Sequence, residues 1–210
     1  VEDLQQFARA VDAGDYDGKT DAVVELATDL DLTGIEWTPI GSTVNADGEV
    51  EHCFSGKFYG NGHTVSNLDL SDVYGTTVLC GFFGNIENAE ISSLTVQGTI
   101  NVNSKREYTY YGAIAGFAGG CTIFDCTADV SFTNNENLVY GTIGLCGQAS
   151  DTVIDYCRNT GDLLLTGDAG SLYAGGIVGF ADGDSEIRYC VNTGELSLAA
   201  SHGGGIAGQL

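Results

Sequence analysis

Short apolar segments alternate along this chain with breaks rich in glycine, asparagine and aspartate, and the alternation has a period. Strings of the form small-apolar-apolar-Gly recur as "GFFG" (81–84), "AIAG" (113–116), "GLCG" (144–147), "GIVG" (176–179) and "GIAG" (205–208). Their closing glycines lie 32, 31, 32 and 29 residues apart. Seven or eight residues after each of the first four stands an isoleucine, Ile91, Ile123, Ile154 and Ile187. Three positions further come Leu94, Cys126, Cys157 and Cys190, and then a third apolar segment, "TINV", "DVSF", "DLLL" or "ELSL". Three short segments per period, each bounded by turn formers, predict three strands and three turns. One such unit has too little apolar surface to fold alone. Stacking the units solves this, because each coil pairs its strands with the next and like residues lie on like inside. The reading is therefore all-β, a solenoid of about 31-residue coils, with the isoleucine and Leu/Cys positions as interior columns.

The opening segment differs. "VEDLQQFARAV" puts Leu4, Phe7, Ala8 and Val11 on one helical face, and Gly14 stops the helix. Residues 1–14 are expected to cover the exposed edge of the first coil. Residues 22–72 read as the opening coils, residues 73–210 as the repeats, and the whole chain as one domain. The chain stops inside a repeat, at "GGGIAGQL", without a polar capping segment, which reads as a fragment of a longer protein.

"DLDLTGIEWTPIGS" followed by "FSGKFYGNGHTVSNLDL", and then the repeats, resembles the GLUG-repeat region of large bacterial surface proteins. The resemblance covers almost the whole chain. It implies a right-handed parallel β-helix on a secreted or cell-wall-attached protein, usually in an adhesin role. Such repeats also occur beside the metallopeptidase domain of IgA1-cleaving proteases. The zinc-peptidase signature His-Glu-x-x-His is absent from this sequence, so no protease activity carries over.

Charge narrows the partners. With Lys+Arg 7 against Asp+Glu 29, the formal net charge is -22, which repels phosphate backbones and anionic lipid. Nucleic acid and membrane insertion are not expected, and no run approaches the roughly 20 apolar residues that span a bilayer. Gly at 31 residues with a single Pro indicates many tight turns.

The chemistry in the sequence is sparse. His52, His63 and His202 are far apart and lack ligand spacing, so no metal site is expected. Seven cysteines leave at least one unpaired; most read as buried thiols, with Cys53–Cys80 a candidate bridge. "DAGDYDGKTD" (12–21) lacks the first and last ligands of a calcium loop, and "DGDSE" (182–186) reads as a solvated turn. Asp125 and Asp155 read as one row on adjacent coils, with Arg188 next, and Asp162 aligns with Glu195. A solenoid sets any repeated acid at such spacing, so a polysaccharide-acting enzyme is not favoured, and no catalytic residue or cofactor is assigned. The row Thr95, Thr127, Arg158, Val191 breaks the flat threonine array of an ice binder.

What exceeds packing needs is aromatic. The turns leading into the small-apolar-apolar-Gly strands carry Tyr74, then Tyr108, Tyr110 and Tyr111, then Tyr140, Tyr173 and finally His202, with Lys105 and Arg106 in the longest. Tyrosine gives rigid amphipathic contact area at low entropy cost. Tyr108, Tyr110, Tyr111, Tyr140, Tyr173, His202, Lys105 and Arg106 are the candidate binding residues. Their expected partner is a host glycoprotein, an immunoglobulin or a glycan, met by a monomeric domain within a larger chain. The alternatives are a structural spacer or a β-helix enzyme.

Overall fold

A computed structural model describes residues 1–45, 50–70, 79–102, 109–134, 138–166, 169–199 and 202–210. The chain winds as a parallel β-solenoid behind one helix, Glu2–Asp12. Three sheets run along it, each built by one strand, or one broken strand, per coil. Face A stacks Val23–Glu25, Lys57–Tyr59, Glu90–Ser92, Thr122–Phe124, Val153–Asp155 and Glu186–Arg188. Face B includes Thr64–Leu70, Thr95–Asn101 and Thr127–Asn134; face C is built on Thr109–Gly119 and Leu138–Ser150. Every pairing between these strands is parallel, and most are in register.

The predicted columns are present. Ile91, Ile123, Ile154 and Ile187 are cross-strand neighbours on face A, extended backward by Phe58. Ile91, Ile123 and Ile154 are fully buried, and Ile187, in the last described coil, is partly so. Leu94, Cys126 and Cys157 are likewise buried, with Cys190 half-exposed. Face B adds Leu70, Ile100, Phe132, Leu163 and Leu196. Apolar residues repeating at a constant spacing thus form continuous buried columns.

Two corners are set by backbone conformation. Before face A, Asn88, Gly120, Asp151 and Gly183 occupy successive coils with φ between 50° and 62°. After face A, Ser93, Asp125, Tyr156 and Tyr189 do the same with φ between 50° and 54°. Left-handed geometry turns the chain sharply, and Gly, Asn and Asp adopt it most cheaply. A register shift between Val65 and Leu68 opposite Thr95–Gly98 adds a bulge, with Asn67 at φ 59°. Gly98 is required there, because a Cβ would run into the Leu68 carbonyl.

The helix covers the first coils as expected. Leu4, Phe7, Ala8 and Val11 are buried, and the Phe7 ring meets Phe54 edge-on at 5.3 Å and Tyr16 at 5.1 Å. Trp37 stacks flat on Phe82 at 5.3 Å and donates its indole N–H to the Phe82 carbonyl.

One predicted row is corrected. The pairing aligns Asp155 with Phe124, not Asp125, and with Arg188 on the next coil. Asp125 stands one residue on, at the corner, and accepts from the Ser93 hydroxyl at 3.1 Å. Asp125 and Asp155 therefore form no stacked pair, whereas Asp162 and Glu195 are neighbours on successive coils, the Glu195 amide donating to Asp162 at 2.8 Å.

The columns set a test. Ile123→Ala removes a fully buried side chain between two others and should cost about 2–5 kcal/mol. Phe124→Ala, next in sequence but 42% exposed, should cost less than half as much in the same urea titration.

Candidate functional site

Strand parity decides where each predicted side chain goes. On face C, Tyr110, Thr142, Tyr173 and His202 are neighbours on successive coils, and so are Phe117, Gln148, Phe180 and Gln209. Tyr110, Tyr173 and His202 therefore lie within strands and not on turns as expected; the first two strands begin before them, at Thr109 and Ala169, and the third begins at His202 itself. Tyr110 meets Phe117 edge-on at 6.2 Å, and Tyr173 meets Phe180 at 5.4 Å. His202 stacks on Tyr173 at 4.6 Å and 14°. Outward on face C thus stand an aromatic pair, a rung in which Gln148 is partly exposed and Thr142 is fully buried between its neighbours, a second aromatic pair, then His202 and Gln209.

Tyr111 departs from the expectation. It is 2% exposed and joins the interior column with Cys80, Ile143 and Ala174, because neighbours along a strand face opposite sides. Tyr74, Lys105, Arg106 and Tyr108 lie outside the described residues. Tyr140 belongs to the strand Leu138–Ser150, and its backbone pairs with Ser171.

A second aromatic array was missed by sequence reasoning. Phe124, Tyr156 and Tyr189 form a continuous exposed ladder at the corner after face A, being 42%, 55% and 72% exposed. Phe124 meets Tyr156 at 5.7 Å and 64°, and Tyr156 stacks on Tyr189 at 4.9 Å and 25°. The two tyrosines occupy the left-handed position that Ser93 and Asp125 fill in earlier coils. For a bulky residue that conformation costs on the order of 1–2 kcal/mol. Beside the ladder, Arg188 contacts Asp155 at 3.2 Å and Glu186 at 3.0 Å. The sequence signal was the repeated Tyr-Cys pair of "DYC" and "RYC".

The polar groups elsewhere serve the fold. Asp12 accepts from the Gly41 amide, and Asp17 accepts from the Cys53 amide while contacting His52 Nδ1 at 2.7 Å. These carboxylates of the 12–21 segment latch the chain around residues 41–53. In the "DGDSE" turn, the Asp184 amide donates to Asp151 and the Ser185 hydroxyl to the Asp182 carbonyl. His63 contacts Asp29 at 3.0 Å, a structural pairing. A groove of about 810 Å³ runs between residues 32–36 and Asn67, Asp69 and Thr99. Next to it the Asp31 carboxyl accepts from Thr33 and Asn67, which hold it down at about 2.

No thiol is activated among those that shift. Burial pushes Cys80 and Cys121 up to about 12 and raises Cys146. Hydrogen bonding along the column raises Cys157 through Cys126 and Cys190 through Cys157, with burial adding to both. All seven cysteines are free thiols, including Cys53 and Cys80. Among the described residues no group of three His, Cys, Asp or Glu is placed to hold a metal ion, and no helix is long and apolar enough to cross a membrane.

Known proteins place this geometry. Residues 170–197 match the GLUG motif, the coil that carries Tyr173, Phe180 and Tyr189. The fold is similar to the crystal structure of a candidate immunoglobulin A1 protease from Bacteroides ovatus, with a TM-score of 0.54 and 16% identity over 95% of this chain and 68% of that one. No curated protein sequence matches this chain. The chain is thus a parallel β-solenoid carrying a GLUG motif.

The His52–Asp17 contact sets a pH test. Hydrogen bonding to Asp17 raises the His52 pKa above its ordinary 6.5. A raised folded-state pKa gives stability that is complete below the unfolded value and lost as pH rises through the folded one. Both side chains are partly exposed, so the effect is small. Between about pH 5.5 and about pH 8.5 the melting midpoint should fall slightly further in the wild type than in His52→Gln. Parallel curves would remove the contact from the stability of the cap.

Proposed function

We propose that this chain is a non-catalytic binding module of a bacterial secreted or cell-wall-attached protein, and that face C recognises a host macromolecule. The observation that carries the reading is a pair of aromatic rungs, half-buried Tyr110 with Phe117 and Tyr173 with Phe180, on either side of a rung whose Thr142 is fully buried and whose Gln148 is partly exposed. Interior columns already fill the core, so these rings are not needed for packing inside. Rings fixed on paired strands lose little entropy on binding, which suits them as anchors.

The macromolecular partner follows from shape. Face C is elongated and shallow, presenting side chains in register over several coils, which fits a protein or a glycan chain better than a small metabolite. A host glycoprotein or an immunoglobulin is the partner class. The fold's likeness to a candidate immunoglobulin A1 protease makes immunoglobulin A1 the first protein to try. The non-catalytic reading is supported by the raised thiols, and by Asp155, which faces Arg188 instead of a second carboxylate.

The test is direct. Immobilised immunoglobulin A1, a mucin and a glycan array are probed with the wild type and with Tyr110→Ala/Tyr173→Ala. A hot-spot aromatic truncated to alanine typically costs about 2 kcal/mol, roughly thirtyfold in affinity. The double variant should lose measurable binding while melting within a few degrees of the wild type. Normal binding by that variant would leave face C a structural surface and the module a spacer. Cleavage of the immunoglobulin by the wild type would replace the binding reading with an enzymatic one.

A further inference from the structure

The corner ladder has no explanation in the fold. Tyr156 and Tyr189 accept left-handed backbone at positions that Ser93 and Asp125 also fill, and they remain 55% and 72% exposed after doing so. An outlier of this kind, repeated on consecutive coils, points outward to something the rings meet. We propose that Phe124, Tyr156 and Tyr189 form a second docking surface, separate from face C, which takes a cationic segment of a partner polypeptide.

The chemistry of the occupant follows from what the ladder leaves open. Tyr156 lies between Phe124, which it meets at 64°, and Tyr189, on which it stacks, so less of its ring is open than that of Tyr189. Tyr189, the most exposed of the three, keeps one ring face open. A saccharide chain would require a row of open ring faces, and this ladder offers one. A lysine or arginine needs only one face for a cation–π contact, plus oxygens to accept its N–H groups. The phenol oxygens and Asp125, which also accepts from Ser93, supply these. Arg188 does not compete, because Asp155 and Glu186 already hold it. Arg158, at the start of face B, is the remaining cation in this neighbourhood. Around the whole module the charge of -22 draws cationic partners inward and speeds their encounter.

A labelled deca-arginine peptide serves as the probe, with fluorescence anisotropy as the readout. Bulk charge alone would also capture such a peptide, so the informative variant is Tyr156→Asn/Tyr189→Asn. It keeps the net charge and puts a residue suited to left-handed backbone at both corners. It should bind at least about tenfold more weakly than the wild type. It should also melt no lower, because the backbone is relieved. Tyr189→Phe, which keeps the ring, should retain most of the binding. Tyr110→Ala/Tyr173→Ala should bind the peptide normally, which separates this surface from face C. Equal affinity of the Asn variant and the wild type would reduce the contact to general electrostatics and overturn the proposal. A lower melting point of the Asn variant would overturn it too, by making the rings part of the fold. So would ladder-dependent binding of a neutral cello-oligosaccharide in preference to the peptide.

Discussion

Each coil gives its backbone donors and acceptors to the coils on either side, so the neighbour of a residue is fixed about one period along the chain. The amide of Thr122 meets the carbonyl of Ala89, that of Val153 the carbonyl of Cys121, and that of Glu186 the carbonyl of Thr152. Because side chains alternate across a strand, a slip of one residue would send every isoleucine of the face A column outward. In-register pairing therefore decides at once what is buried and what is shown. The same rule that stacks Ile91, Ile123 and Ile154 inside sets Phe117, Gln148 and Phe180 in one row outside. A repeated sequence makes a repeated surface whether or not anything binds it.

That coupling explains what could be read from the sequence. Interior columns were legible because packing demands like residues at constant spacing, and the run from Ile91 to Ile187 is nearly uninterrupted. The helical cap was legible from four apolar residues on one face. Outer positions were harder, because nothing inside constrains them. The repeat spacing aligns Asp125 with Asp155, yet the column runs through Phe124, one residue earlier. Tyr111 was grouped with Tyr110, although adjacency in a strand guarantees that the two face opposite ways. The aromatic segments were read as turns, because glycine-rich neighbours look like loops. In the structure those glycines let strands of face C lie close together: a Cβ on Gly116 would meet the Gly84 carbonyl at 2.9 Å, and one on Gly147 the Gly116 carbonyl at 2.6 Å.

The corner after face A shows where packing and exposure come apart. Ser93 and Asp125 are ordinary there, small and polar in a conformation that suits them. Tyr156 and Tyr189 keep the conformation and change the side chain, so the backbone requirement is satisfied less well and apolar area is left in water. Ring stacking returns part of this, on the order of 0.5–1.5 kcal/mol for an aromatic pair. For Tyr189 the return is least, since it has one stacking neighbour and is 72% exposed.

Face C and the corner ladder therefore differ in physical character. Face C rings lie on long paired strands, half-covered by each other, so their positions are fixed by the sheet and truncating one removes contacts on both sides of it. Two ladder rings, Tyr156 and Tyr189, stand at the corner in left-handed backbone, Phe124 ends its face A strand, and the three are further positioned by one another. A partner meeting face C finds a broad, preformed relief, whereas one meeting the ladder finds a narrow ridge beside an ion pair. With -22 charges distributed over so small a module, both surfaces operate in the same negative field. What separates them is short-range: face C offers contact area, and the ladder offers one open ring and a row of oxygens. A solenoid can carry both because each coil has three faces and three turns, and stacking fixes the interior while leaving the outer positions free to differ.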